Sequence, residues 1–449
     1  MATIFFRQVL TAALCVITLG YPLEGAALGL LQAYEAALAN DPAYRAAVHE
    51  NAAGQQYKEL GRSHLLPSLS ANYATSKNRA DVTTPSVFGD RTDHRSYTSR
   101  AASIQLRQPL LHLEGTARYR QGVAQTHASD AQFSVRRQDL IVRLVSLYVS
   151  ACYAQDQLAR AVAERDAYAE QRLSVNRMLQ SGEGTRTDVL ETQAKFDMSV
   201  TQVIEAEDSV ANARSALEAM VGQQITALDP LSEVFRSKPM QPANFEEWKE
   251  KALAHNREIM AQRHIVEVAQ EEVRKNQAGH TPRLDLIASA SSNRSDTINT
   301  FNQDANIRSI GLQLTIPLYA GGSVNAAIRQ AVANHEKSLA TLDDKTSAVL
   351  VELRKQYNLN LSSVSRIGAT EQFLNSALLL VDATQKSVKG GQRTHLDVLN
   401  AQQQLYEARR DLALARFNYL LSFLRLRFAA GTLDRTDLED IATYFAAGS

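Results

Sequence analysis

Apolar and polar residues alternate along four short stretches of the chain. The clearest is SIGLQLTIPL at 309–318, in which every second residue from Ile310 to Leu318 is apolar. The stretches PSLSANY at 67–73, SIQLRQPL at 103–110 and PRLDLIASA at 282–290 alternate in the same way. A two-residue period is typical of β-strands with one apolar face. The pattern predicts strands at about 67–83, 97–110, 283–293 and 306–318.

Long stretches without glycine or proline predict very long helices. Residues 123–181 contain neither, and residues 323–389 contain only Gly368. A helix of about 60 residues is roughly 90 Å long. Shorter stretches without either residue follow at 185–221 and 394–430. Apolar residues spaced four and three apart, such as Ile141, Val145, Tyr148 and Cys152, indicate that these helices pack as coiled coils.

The chain contains two copies of one plan. The stretch GEGTRTDVL at 182–190 returns as GQRTHLDVL at 391–399, so that Gly182, Thr185 and Asp188 recur 209 residues later. The equivalent residues are Gly391, Thr394 and Asp397. Each copy runs through a helical segment (28–63 or 244–279), two strands, a long helix, the turn and a second helix. Such a period indicates duplication of a whole structural unit.

The N-terminus is typical of a secretory signal peptide. Arg7 precedes an apolar segment at 9–19, and the small residues of Gly25-Ala26-Ala27 follow. An N-terminal anchor helix is the alternative, which the shortness of the apolar segment disfavours. We expect a signal peptide at 1–27, a first repeat at 28–222 and a linker at 223–243. A second repeat at 244–431 and a C-terminal segment at 432–449 complete the division.

Composition narrows the class of protein. The chain has 48 basic and 48 acidic residues, which argues against nucleic acid as a partner.

Four strands cannot close a barrel, and lipid does not tolerate an open sheet edge. If the strands span a membrane, the barrel must therefore be shared between chains. A sandwich edge would show the same alternation. If the strands do span a membrane, the polar stretches between the strands of each pair, Lys77–Ser96 and Asn293–Asn306, are expected to be extracellular loops.

This order of elements resembles the TolC family of outer-membrane efflux and secretion ducts. The resemblance covers the chain after the signal peptide and rests on LLQAYEAALANDPAYRAA, GHTPRLDLIASAS, PLYAGGSVNAAIRQA, GQRTHLDVLNAQQQLYEARRDLALARFNYLL and GTLDRTDL. It implies an α+β membrane protein: a homotrimer with a twelve-stranded transmembrane β-barrel in the outer membrane, in contact with its lipid. It further implies a long α-helical barrel in the periplasm and a small equatorial domain formed by the linker and the C-terminal segment.

The repeated turns have two interpretations. Thr185-x-x-Asp188 and Thr394-x-x-Asp397 match the capping box that begins a helix. The family resemblance implies in addition that the turns are hairpin tips that close the tunnel in the periplasm. A periplasmic adaptor and an inner-membrane transporter, of the ABC or the RND type, would contact the tips at Gly182, Thr185, Gly391 and Thr394. The two interpretations do not exclude each other.

The resemblance also implies which residues form the gate. Asp397 matches a ring of constriction carboxylates, and rings of this kind make pores cation-selective. Arg393 matches a residue that ties neighbouring hairpins together, with Thr187 and Asp188 as its partners. The second ring carboxylate of the family is Asn400 here, and Glu191 on the first hairpin is a candidate to replace its charge. Where the family often has a tyrosine in the gate network, this chain has Val388. His395 lies between Arg393 and Asp397.

The function expected is passive export of proteins or small molecules, with type I protein secretion favoured over multidrug efflux. Cys15 is a poor lipoprotein acylation site, and this favours secretion because many drug-efflux members are lipoproteins. A periplasmic coiled-coil scaffold without a pore is an alternative from a different class. A hydrolase has no local motif in its favour. Scattered histidines and two cysteines support no zinc site, and we expect no cofactor and no catalytic residues.

Overall fold

The structure, a computed structural model, describes residues 27–232, 234–295 and 303–445. The predicted signal peptide therefore lies outside the described residues except for Ala27. The helices are Leu30–Asn40 (α1), Pro42–Gly54 (α2), Gln56–Ser63 (α3), Leu113–Gln180 (α4), Arg186–Val221 (α5), Phe245–His255 (α6), Arg257–Gln277 (α7), Ser323–Lys389 (α8), His395–Ala429 (α9) and Arg435–Ala442 (α10). The strands are Ser68–Thr84 (β1), Arg91–Leu111 (β2), Arg283–Ser295 (β3) and Gln303–Thr315 (β4).

Two long helices carry the chain away from the sheet. Helix α4 has 68 residues, and α8 has 67, so each is about 100 Å long. Each turns at its far end into an antiparallel partner, α5 after α4 and α9 after α8. Within the described residues, no helix is both long and apolar enough to cross a bilayer.

Helix α4 begins at Leu113, ten residues before the glycine-free stretch that predicted it. Gly115 and Gly122 lie inside the helix, at positions where an earlier segment of the same chain passes close to it. A Cβ at Gly122 would lie 2.3 Å from the carbonyl oxygen of Tyr57 in α3. Glycine at this position permits close packing of two helices, and here it does not mark a helix end.

The four strands form one antiparallel sheet in the order β1-β2-β3-β4. The register aligns Leu69, Leu106, Ala288 and Ile310 on one rung. Two residues further from the helices along each strand, the same face carries Ala71, Ile104 and Ala290. On β4 this second rung carries Arg308. The predicted alternation therefore becomes a largely apolar face that continues across all four strands on the rung of Leu69 and across β1, β2 and β3 on the rung of Ala71.

The predicted loop at Lys77–Ser96 is wrong in its extent. Strands β1 and β2 continue through most of it, from Lys77 paired with Thr98 up to Thr84 paired with Arg91. Both faces of this hairpin are polar, so no apolar alternation marks it as strand; Asp81 contacts His94 across the hairpin. Strand β4 ends at Thr315 instead of 318, close to Pro317, which has no N–H to donate. Of the second predicted loop, residues 296–302 lie outside the described residues.

The inner face of the sheet contains a buried ion cluster near the helices. Asp285 is fully buried and accepts from Arg107 at 2.7 Å and from Arg283 at 3.0 Å. A buried carboxylate requires such partners, because its desolvation is otherwise costly. This cluster fixes β2 to β3 where the strands approach the helices.

The largest apolar core lies midway along the helices. Leu28 forms a bridge with Leu228, and Leu231 forms one with Phe445. The ring of Tyr148 on α4 packs edge-on against Phe445, with ring centroids 5.2 Å apart, and its hydroxyl donates to the carbonyl oxygen of Leu28 at 2.9 Å. The linker after α5 and the C-terminal segment thus pack around the same part of the long helices.

Candidate gate at the helical hairpin tips

The two hairpin tips have the same backbone geometry. In the first, the N–H of Glu183 donates to the carbonyl oxygen of Met178 at 2.9 Å, and the N–H of Gly182 donates to that of Leu179 at 3.2 Å. The second tip repeats both bonds 209 residues later, each at 3.0 Å, from Gln392 to Ser387 and from Gly391 to Val388. This is the Schellman motif, whose left-handed residue favours glycine. Gly182 and Gly391 have φ of 78° and 71°.

Both tips also begin their second helix with a capping box, which confirms the capping interpretation. The hydroxyl of Thr185 accepts from the N–H of Asp188 at 3.1 Å, and Asp188 accepts from the N–H of Thr185 at 3.0 Å. In the second tip, the hydroxyl of Thr394 accepts from the N–H of Asp397 at 3.4 Å, and the carboxylate of Asp397 accepts from the N–H of Thr394 at 2.9 Å. Carboxylates at this position also interact favourably with the positive end of the helix dipole.

Asp397 is strongly favoured in its charged form. The backbone N–H of Thr394 holds the pKa of the Asp397 carboxyl below its usual range, and the Thr394 hydroxyl and the Arg393 charge add to this effect. The carboxylate therefore stays ionised at neutral pH. It is partly exposed at the tip, where it is available to cations in the surrounding water.

The structure brings together some of the predicted gate residues and leaves others apart. Arg393 lies beside Asp397 in the second tip, and Thr187 lies beside Asp188 in the first. Among the described residues of one chain, no hydrogen bond or ion pair joins Arg393 to Thr187 or Asp188. Asn400 is exposed on α9. Glu191 is half-buried and lines a groove between α5 and α9, together with Leu396.

That groove contains a polar network that the sequence did not indicate. It has a volume of about 980 Å³ and lies between α4, α5 and α9. Lys195 donates to Oε1 of Gln403 at 2.6 Å, and Gln403 donates to Glu407 at 3.0 Å. One signal was available: the repeat offset of 209 aligns Lys195 with residue 404, next to its partner.

Two carboxylates face each other across the same groove. Burial raises the pKa of the Glu164 carboxyl on α4, and the negative charge of Glu407 raises it further, while Lys195 opposes the shift. Below Glu164, the fully buried ring of Tyr168 excludes water, and burial raises the pKa of its phenol. The network therefore includes one carboxyl that gains a proton more readily than an exposed glutamate does.

The described residues offer no alternative chemistry at the tips. Within 27–232, 234–295 and 303–445, no three His, Cys, Asp or Glu side chains are grouped as metal ligands would be. The one cysteine in these ranges, Cys152, is buried in the midway core, and burial raises the pKa of its thiol. The geometry of the tips is that of charged, capped turns at the ends of two helical hairpins.

Comparison with known families decides the identity of the fold. The profile of the family described as outer membrane efflux protein matches residues 33–223 and 248–432. The chain belongs to the outer membrane efflux protein family. Each matched segment contains one strand pair, one long helix and one hairpin tip. The family predicted from the sequence and the outer-membrane location are thereby confirmed.

The chain is similar to several secretion and efflux proteins along nearly its whole length. It is 45% identical to the alkaline protease secretion protein AprF of Pseudomonas aeruginosa, over 94% of this chain and 88% of that protein. It is 39% identical to the proteases secretion protein PrtF of Dickeya chrysanthemi, over 93% of this chain and 91% of that protein. The outer membrane protein TolC of Escherichia coli is 29% identical, over 93% and 85%.

Solved structures confirm the predicted fold class. The channel CusC superposes with a TM-score of 0.78 at 17% identity, and the match covers 90% of this chain and 92% of that one. The outer membrane protein VceC of Vibrio cholerae gives 0.76 at 18% identity, with coverage of 90% and 96%. At this identity the likeness concerns the fold: long helices combined with a four-stranded antiparallel sheet in each chain.

Proposed function

We propose that the chain is the outer-membrane channel of a type I protein secretion system. The similarity to two protease secretion proteins, at 45% and 39% identity, carries this proposal, because TolC of Escherichia coli is similar at only 29%. The channel is passive. Its energy comes from an inner-membrane transporter of the ABC type, which is joined to it by a periplasmic adaptor.

The edges of the sheet support a barrel that is shared between chains, and the family resemblance implies that three chains share it. Within the described residues, β1 and β4 each have one edge without a partner strand. Exposed edges are not tolerated in lipid, so β4 of one chain pairs with β1 of the next. Three chains of four strands give the twelve-stranded barrel that the family resemblance implies. The linker at 223–243 and the segment 432–449 form the equatorial domain, and the bridge between Leu231 and Phe445 supports this assignment.

The gate is placed at the tips. Three copies of Asp397 form a carboxylate ring, while Asn400 adds no charge to it, so the ring carries less charge than one with two carboxylates per chain. Arg393 is not bonded to Thr187 or Asp188 of its own chain, and we therefore place the clasp between subunits. The turns of Gly182–Thr185 and Gly391–Thr394 face the adaptor.

Single-channel conductance in a planar bilayer tests the pore and the ring together. We expect small, cation-selective openings that trivalent cations block in the wild-type protein. In Asp397→Asn the block weakens at least tenfold, because the ring loses three charges. Asp188→Asn removes the same carboxylate from the capping box of the other hairpin and also breaks the proposed clasp; its cation block is expected to remain, because the Asp397 ring is intact.

Different outcomes separate the parts of the proposal. Equal block in wild type and Asp397→Asn would count against the ring while leaving the pore intact. Equal loss of block in both variants would show that the capping box, and not the ring, matters. A folded protein that stays in solution without detergent and never conducts would favour the scaffold.

Protein secretion and drug efflux are separated in cells. In a strain that lacks this chain, we expect secretion of an extracellular protease to stop while tolerance to antibiotics is retained. Complementation with the wild-type chain restores secretion. Loss of antibiotic tolerance with normal secretion would instead assign the chain to multidrug efflux and an RND-type transporter.

A further inference from the structure

One face of the sheet is apolar along the part of the strands nearest the helices. Leu69 on β1 is 71% exposed, and Ile310 on β4 is 76% exposed. They share a rung with Leu106 and Ala288. Tyr73 lies at the upper end of this face, and exposed Tyr319 follows β4 at the lower end. An apolar band between aromatic residues is typical of the lipid-facing side of a membrane barrel.

The same face carries four cations near and beyond the level of Tyr73. The strand period places Lys77 and Arg79 on the face of Leu69 and Tyr73. The register places Arg100 on the rung of Thr75, and Arg308 on the rung of Ala290. All four cations are exposed. The lipid-facing side of the sheet thus carries positive charge above its apolar band on β1 and β2 and at the upper part of the band on β4.

Three of these cations lie on one diagonal. From Lys77, each step to the next strand descends two residues towards the helices, through Arg100 and Ser292 to Arg308. Strands of a membrane barrel tilt by about 35–45°, whereas a step of two residues per strand has a slope of about 54°. The tilt therefore brings the three cations to within roughly 4–8 Å of one depth. We call Lys77, Arg100 and Arg308 the cationic row.

The lower edge of the sheet steps down by four residues between β1 and β2, which ends at Leu111 opposite Leu284, and is level from there to β4. Strand β1 begins at Ser68, which shares a rung with Ile287 and Gly311. Strands β3 and β4 extend four residues further towards the helices, to Arg283 and Thr315.

The cationic row lacks acidic partners. Within the part of the chain that the structure describes, no ion pair or hydrogen bond involves the side chains of Lys77, Arg100 or Arg308. Arg294 lies directly opposite Arg100 and is held by Asp304 at 2.8 Å. Like charges opposite each other on a sheet are destabilising, so Arg100 is a cation whose neighbourhood favours an added anion.

We propose that the cationic row is a binding surface for the phosphate groups of outer-leaflet lipid. The inference rests on the proposed function, because that function orients the helices towards the periplasm and the row towards the outer leaflet. A bound lipid has its acyl chains on the apolar band and its phosphates at the row. One guanidinium group can donate two parallel hydrogen bonds to the oxygens of a phosphate. A basic cluster beside an apolar surface is a general mode of anionic lipid recognition.

The test is a titration of the detergent-purified protein with lipid A that carries both phosphates. Native mass spectrometry reports the fraction of channel with bound lipid. We expect binding that is lost with the same lipid after removal of its phosphates. Arg100→Gln combined with Arg308→Gln weakens binding about twentyfold or more, because each arginine beside an anionic headgroup contributes roughly a fivefold gain.

The control variant combines Arg91→Gln with Arg95→Gln. It removes the same number of charges from the opposite face of β2, where Asp93 lies within 3.3 Å of Arg91 and 3.7 Å of Arg95. Its affinity for the phosphorylated lipid is expected to equal that of the wild type. Equal weakening in both variants, or equal binding of the phosphorylated and dephosphorylated lipids, overturns the proposal.

Two further measurements identify the source of any failure. Excess inorganic phosphate is added to the titration, and full displacement of the lipid would show a site for free phosphate instead of a lipid surface. Conductance in a planar bilayer is measured for both double variants and is expected to match the wild type. A wild-type protein that binds lipid but never conducts would refute the proposed function alone, whereas one that conducts without phosphate-dependent binding would refute the lipid surface alone.

Discussion

Lys195 on α5 donates a hydrogen bond of 2.6 Å to Gln403 on α9, and this bond joins the two helical hairpins of one chain. The contact lies above the tips, nine residues along α5 from Arg186 and eight along α9 from His395. The clasp proposed for Arg393 acts between subunits, whereas this contact acts within one subunit. Any motion that separates the hairpins of one chain must break it.

Lys195→Met is expected to make the closed channel less stable. The variant keeps the length of the side chain but loses a charge-assisted hydrogen bond, which contributes about 1 kcal/mol at a partly exposed site. Since the proposed trimer contains three such bonds, we predict a rise in open probability of tenfold or more in planar bilayers. Lys386→Met is the control, because among the described residues Lys386 pairs only with Asp382 of its own helix. An unchanged open probability in Lys195→Met would show that the hairpins do not separate at this point.

Glu164 is expected to make stability depend on pH. Burial raises the pKa of its carboxyl from the ordinary 4.5, so the folded chain takes up this proton more readily than the unfolded chain. The free energy of unfolding therefore increases as the pH falls through the raised pKa towards 4.5, and decreases as the pH rises. Glu164→Gln should remove this dependence and raise the melting temperature at pH 7 by roughly 1–3 °C.

Glu352→Gln provides the control of opposite sign. A hydrogen bond from Gln356 lowers the pKa of the Glu352 carboxyl, so its loss should reduce stability at pH 7. Melting temperatures are compared from pH 4.5 to pH 8 at one scan rate. If Glu164→Gln kept the pH dependence of the wild type, another group would have to cause it.

Local signals in the sequence predicted local structure well. The two capping boxes form as Thr-x-x-Asp predicts, because all of their atoms lie within one turn of chain. The alternating strands formed in the apolar band, where one face of the sheet is apolar and the other polar. In the hairpin from Lys77 to Thr98, the β1 side agrees with the strand predicted at about 67–83, whereas residues 91–96 of β2 were missed because few apolar residues mark them as strand.

Contacts between distant segments were the part that the sequence concealed. Gly122 indicated a helix boundary, yet it lies within α4 because α3 passes close by. The bond between Lys195 and Gln403 depends on how α5 packs against α9, which no local motif encodes. Likewise, the cationic row appears only when the register of all four strands is known, because its three members are far apart along the chain.

Two glycines with nearly the same backbone conformation are expected to respond differently to substitution. Gly391 and Gly431 have φ of 71° and 72°. A Cβ at Gly391 meets no atom within 4 Å, whereas at Gly431 it would lie 2.3 Å from the carbonyl oxygen of His255. Gly391→Ala should cost about 1–2 kcal/mol, from backbone strain alone. Gly431→Ala adds a steric clash with backbone and should cost about 3–5 kcal/mol.

Thermal unfolding of both variants measures this difference, with the yield of folded protein as a second measure. Gly391→Ala is the internal control for the strain that both positions share. Similar losses in the two variants would mean that the chain near His255 moves to make room for the added methyl group.

Arg393→Gln is expected to open the channel while leaving cation block in place. The variant removes the proposed clasp to Thr187 and Asp188 between subunits, and a partly exposed ion pair contributes about 0.5–1 kcal/mol. Since three such pairs break together, open probability should rise tenfold or more. Asp397 remains, so trivalent cations should still block the pore.

The control for this variant is Arg186→Gln, which removes an exposed arginine from the other tip. A double-mutant cycle with Asp188→Asn measures the coupling directly. If Arg393 and Asp188 form the clasp, the second substitution should add little to the first, because one broken pair cannot be broken again. Fully additive effects would place the partner of Arg393 elsewhere. Loss of cation block in Arg393→Gln would instead mean that Arg393 acts by holding Asp397 in position, since its charge contributes to the lowered pKa of that carboxyl.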